Sequence, residues 1–113
     1  MNELSGYGEL TIGDKTLPFK FGLNAYQLFC SYFDIELHQM PEKLKDPFAL
    51  VVLAYFAHIS NERINGRQSD ISIDWFIEAC GDTAGILDDI QKLIVKSKYW
   101  GVPLAAMDTK KKS

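Results

Sequence analysis

Hydrophobic spacing changes period at Gly22, and that change limits what the first third of the chain can become. From Gly8 the sequence reads GELTIGDKTLPFKFG, with apolar residues on every second position: Leu10 and Ile12, then Leu17, Phe19 and Phe21. Glu9 and Thr11, then Thr16, Pro18 and Lys20, take the alternate positions. Successive strand residues point to opposite faces, so this spacing predicts two half-buried strands over residues 8–21, with GDK (Gly13 to Lys15) turning the chain between them. Pro18 has no N–H to give a central ladder, so the return strand is expected at an edge, with any third strand beside the first. After Gly22 the apolar residues fall at Ala25, Leu28, Phe29 and Tyr32, the spacing of a helix near residues 25–33 with Asn24 as its cap. A two-stranded hairpin is marginal alone, so its apolar face is expected to pack on this adjoining helix.

Farther along, DIELHQMPEKLKD reads as a loop or short helical turn, and Asp46-Pro47 as the cap and first residue of a long helix near 47–63. Its first three turns, from PFALVVLAYFAH, are apolar on every side, which predicts burial all round. Asn65-Gly66 ends it. Ser72 caps a shorter helix near 73–80, stopped by Gly81, and a last helix near 83–98 places Ile86, Leu87, Ile90, Leu93 and Ile94 on one face. In that helix Asp88 and Asp89 precede Lys92 and Lys96, the charge order a helix dipole favours. The expectation is an α+β fold, mostly helical: an N-terminal hairpin packed on about four helices, one compact domain over residues 1–103, and a flexible lysine-rich tail over 104–113.

Composition narrows the function classes. The 113 residues carry a net charge of −3, and without the final DTKKKS there remain 9 basic and 14 acidic residues. Such a body repels nucleic-acid phosphates, and it lacks the basic face of a membrane-surface helix. Helix, glycine and helix over residues 73–98 suggest a helix-turn-helix, but the second helix would bring Asp82, Asp88 and Asp89 toward the bases before Lys92. The longest apolar run, Phe48 to Ile59, covers about twelve residues, short of the roughly 20 a membrane span needs. MNELSGYGEL has no basic region followed by an apolar run, so no secretion signal is expected. The two cysteines, Cys30 and Cys80, suit buried thiols in a reducing cytoplasm better than a disulfide framework.

Catalytic and metal chemistry find little purchase. His38, His58, Cys30 and Cys80 are scattered, without the short spacings of zinc ligands. Cys–His catalysis needs a proximity that spacing alone does not disclose, and a satisfied core histidine is the simpler reading of His58. Asp88 and Asp89 diverge by about 100° around a helix, which makes them a solvated face before an acid–base pair. Gly6, Gly8 and Gly13 lack the Lys-Ser/Thr ending of a phosphate loop. No catalytic residue, cofactor site or metal site is expected. The 14 aromatics exceed what one small core readily absorbs, and they suggest a partner surface at Tyr26, Phe33, Tyr99 and Trp100.

The stretch GYGELTIGDKTLPFKFGLNAYQLFCSYFDIEL resembles tail assembly chaperones of tailed phages and prophages. In one group of these small proteins, G-x-L-x-I-G-x-K-x-x-P-F-K-F-G leads into an N-A-x-x-x-F-C helix. The matching residues are Gly8, Leu10, Ile12, Gly13, Lys15, Pro18 to Gly22, Asn24, Ala25, Phe29 and Cys30. A later apolar helix and a D-W-hydrophobic-E helix, Asp74 to Glu78, are also similar, and the resemblance spans Gly6 to Leu93. It implies a non-enzymatic role in the bacterial cytoplasm: binding the aggregation-prone tape measure protein and helping tail-tube protein assemble around it, with self-association possible and no nucleic-acid or membrane partner. In many of these phages a frameshift near the end of the gene also yields an extended form, and Lys110 to Lys112 can be written in slippery adenine-rich codons or equally in others. On this reading the hairpin props the first helix so that Tyr26 and Phe33 face the client. The rival expectations are a structural tail-completion or connector subunit, and a small regulatory binding protein.

Overall fold

The structure, a computed structural model, describes residues 7–96. Strands β1 (Tyr7–Ile12) and β2 (Lys15–Lys20) form an antiparallel hairpin, and five helices follow: α1 (Leu23–Phe33), the single turn α2 (Met40–Lys43), α3 (Pro47–Ile64), α4 (Ile73–Gly81) and α5 (Ile86–Lys96). A 3₁₀ turn, Leu37–Gln39, runs directly into α2. The fold is α+β and mostly helical, as the alternating and then helical spacing predicts. No described helix is long and apolar enough to cross a membrane.

The hairpin turns on Gly13 and Asp14. Gly13 has a φ of 64° while Asp14 stays at negative φ, the type II′ pattern that puts glycine first and matches the twist of the strands. Leu10 faces Leu17, and Thr11 meets Thr16 on the other face with their hydroxyls 2.9 Å apart. Ile12, Leu17, Phe19 and Phe21 are buried. Their cover differs from the sequence expectation. β2 packs on α3 and β1 on α5, while α1 lies along α3. α3 can do this because its side chains are apolar in every direction: Ala49 through Ala54 and Ala57 are all buried.

Caps and glycines set the helix ends. Asp46 accepts the Phe48 N–H at 3.0 Å, and Ser72 accepts the Trp75 N–H at 3.0 Å. Asn24 is not the cap of α1; the helix starts at Leu23, two residues earlier than expected, and the extended Gly22 supplies its first carbonyl to the Tyr26 N–H at 3.0 Å. The last helix starts at Ile86 instead of residue 83, because Gly85 sits at φ 79°, outside helical space. Thr83 serves as a tie: its hydroxyl donates to the Ala79 carbonyl at 2.8 Å and accepts the Gly13 N–H at 3.0 Å, joining the end of α4 to the hairpin turn. The expected extension of the last helix to residue 98, and the tail over 104–113, lie outside the described residues.

Gly8 makes the contact between β1 and α5 possible. A Cβ there would run into Cδ2 of the buried Leu93. Gly8→Ala is expected to cost about 1–3 kcal/mol. In urea unfolding, Gly8→Ala combined with Leu93→Ala should cost less than the sum of the two single changes, and simple additivity would show that the two positions do not share this space.

Candidate functional site

The residues with chemical potential are occupied in holding the fold. His58, on the β2-facing side of α3, is 3% exposed. Counting outward from the two-residue turn, Glu9 and Pro18 form a non-hydrogen-bonded pair, so the Pro18 carbonyl points away from β1. His58 Nδ1 lies 3.0 Å from that carbonyl, which only accepts, so Nδ1 carries the proton. Nε2 lies 2.8 Å from Ser69 Oγ, and Ser69 Oγ also accepts the Ile71 N–H at 3.1 Å. With Nδ1 as the ring donor, the Ser69 hydroxyl is placed to donate to Nε2. One histidine thus occupies the outward carbonyl of Pro18 and fastens the loop that follows α3.

Two further side chains of α3 hold the same loop. Tyr55 Oη donates to the Ile71 carbonyl at 2.8 Å, and burial raises the Tyr55 pKa. Glu62 accepts a forked pair from Arg67, Nε to Oε1 at 2.9 Å and Nη2 to Oε2 at 3.2 Å, with Asn61 Nδ2 donating to Oε2 at 3.1 Å. The Arg67 hydrogen bonds, above all, hold the Glu62 carboxyl below its ordinary pKa of 4.5. Cys80 is buried, and burial pushes its thiol up to about 11; burial and then the charge of Glu36 raise Cys30 as well. Neither thiol is an activated nucleophile. Among the described residues, no three His, Cys, Asp or Glu side chains gather as a metal site requires.

The surface is more informative. Tyr26 is 1% exposed, so its ring is core, and the expectation that it faces a partner is corrected. The inward face of α1 runs through Ala25, Tyr26, Phe29 and the half-buried Phe33, roughly 60° around the helix from the expected stripe, which leaves Tyr32 outside. Phe33 is half-buried at the surface beside it. Tyr99 and Trp100 lie outside the described residues. Leu87, expected on the inward face of α5, is exposed instead.

These shifts assemble an aromatic face. The Phe33 ring sits 5.0 Å from Phe29, 5.0 Å from Tyr32 and 6.4 Å from Phe48, and Tyr32 is 5.7 Å from Phe56, all edge to face. The Lys43 ammonium lies 4.4 Å over Phe33. Tyr32 is 48% and Phe48 43% exposed. Phe48 also lines an apolar groove of about 560 Å³ between the start of α3, the end of α4 and the start of α5, with Val51, Ile77, Ile86 and Leu87. Aromatic face and groove are therefore continuous through Phe48. Tyr32, Phe48 and Leu87 escape sequence reading because each adjoins another apolar residue about 100° around its helix, so periodicity allows either neighbour inside. No protein-family model, no curated protein and no solved structure matches the chain.

Two outcomes follow from this placement. Tyr26→Ser is expected to lose about 3–5 kcal/mol of stability and Tyr32→Ser about 1 kcal/mol or less, read from denaturant midpoints. Because the Glu62 pKa is lowered in the folded state, its contribution is full above 4.5 and disappears as pH falls through the folded value. Glu62→Gln should therefore lower stability at neutral pH and flatten the acid limb of a stability–pH curve, while an unchanged acid limb would remove the pair from any part in fastening the loop.

Proposed function

We propose that this protein is a non-enzymatic tail assembly chaperone of a tailed phage or prophage, one that binds the tape measure protein and helps tail-tube protein assemble around it. The observation that carries the reading is the exposed aromatic and apolar surface from Tyr32 through Phe48 to Leu87, set on a body in which acidic residues outnumber basic ones. A long, aggregation-prone client needs apolar cover that itself stays dispersed, and net negative charge supplies the dispersion. The involvement of His58 in packing, and the raised thiol pKa values, agree with a binding role. The resemblance of the hairpin and first helix to this chaperone group supplies the identity of the client.

Co-expression with a tape measure protein from the same genome tests the reading. Size-exclusion chromatography should show a soluble complex that forms only when this chain is present. The pair Tyr32→Ser and Phe48→Ser should abolish the complex while leaving the chain folded by circular dichroism. A tape measure protein that still aggregates, with this chain eluting alone as a ring of fixed size, would replace the chaperone by a structural connector subunit.

A further inference from the structure

The groove has a chemistry of its own. Val51 and Ile77 line its interior, and the exposed Phe48 and Leu87 stand at its margins. It offers almost nothing to orient a small polar ligand. Of its polar side chains, Thr83 is engaged with Ala79 and Gly13, and Asp88 is 3.2 Å from the Lys92 ammonium. Its walls are helix ends and the turn between α4 and α5, with no strand among them, so an extended peptide would find no sheet edge to join. A helix brings its own backbone hydrogen bonds and needs only apolar contact.

Charge around the groove selects among helices. Asp46 adjoins Pro47 at one end, Asp82 lies between Gly81 and Thr83, Asp88 lines the groove and Asp89 follows it; all four are exposed. Among the described residues Lys45 pairs with Glu42 at 3.2 Å and Lys92 with Asp88, which offsets the charge of Asp88 and leaves Asp46, Asp82 and Asp89 as the acidic margin. Acidic flanks on an incoming helix would meet repulsion, and basic flanks attraction.

We infer that this groove receives an amphipathic helix whose apolar face is flanked by lysine or arginine. The inference takes its client from the chaperone reading and its site from the groove alone. Two labelled helical peptides with the same leucine face, one lysine-flanked and one glutamate-flanked, are titrated with the full chain by fluorescence anisotropy. The lysine peptide should bind at least about tenfold more tightly, and its affinity should fall with salt. Leu87→Glu, at an exposed position, should abolish binding with an unchanged melting midpoint, and Asp88→Asn with Asp89→Asn should weaken the lysine peptide alone.

Equal binding of the two peptides, or binding unaffected by Leu87→Glu, overturns the inference. So does a dimer that Leu87→Glu separates while neither peptide binds, because a second copy then fills the groove. Selective lysine-peptide binding without a tape measure complex upholds the groove and removes the chaperone reading; a complex that survives Leu87→Glu does the reverse.

Discussion

A helix with apolar side chains on every side cannot rest on a surface; it has to be surrounded. α3 imposes that condition, and β2, α1, α4 and α5 each lie directly against it. The small residues Ala49, Ala54 and Ala57 let its neighbours approach closely. The amphipathic character of the other elements follows from this arrangement. Each needs only one apolar face, because each has one neighbour in common.

Surrounding α3 with a hairpin creates a difficulty that Pro18 and His58 resolve together. A strand edge left open is a template for unwanted pairing. At Pro18 the edge has no donor, and its remaining acceptor is taken by the histidine ring. The same ring reaches Ser69, so an outward strand carbonyl and a surface loop are joined by one side chain. Burying an imidazole costs little when both nitrogens have partners, and much when one is left alone. The polar second half of α3 is thus a set of attachments, in contrast to the apolar first half.

Much of the architecture was legible in the sequence because it depends on local periodicity and end signals. The alternation through Leu10, Ile12, Leu17 and Phe19, the Asp46 cap and the Ser72 cap all specify structure within a few residues. What was not legible depends on rotation and on distant neighbours. α1 carries Tyr26, Leu28, Phe29, Tyr32 and Phe33, and several of these fit an inward stripe; the position of α3 decides that Tyr26 goes in and Tyr32 stays out. Spacing alone sets the start of α5 too early, because Gly85 fits a helical pattern until its φ is known. The candidate surface was legible as an excess of aromatics, and only its membership required the packing.

The tie between Thr83 and Gly13 joins positions far apart along the chain, as does Leu93 lying over Gly8. The hairpin leaves the ribosome before the helices, and the helix that covers β1 is made last among the described elements. During synthesis the face of β1 that Leu93 covers therefore lacks that cover until α5 emerges, whereas β2 has its neighbour as soon as α3 is made. Selection on the hairpin then acts on two states of the same residues, the docked one and the waiting one. The outward Glu9, Thr11, Thr16 and Lys20 are as much a property of the nascent chain as of the finished protein.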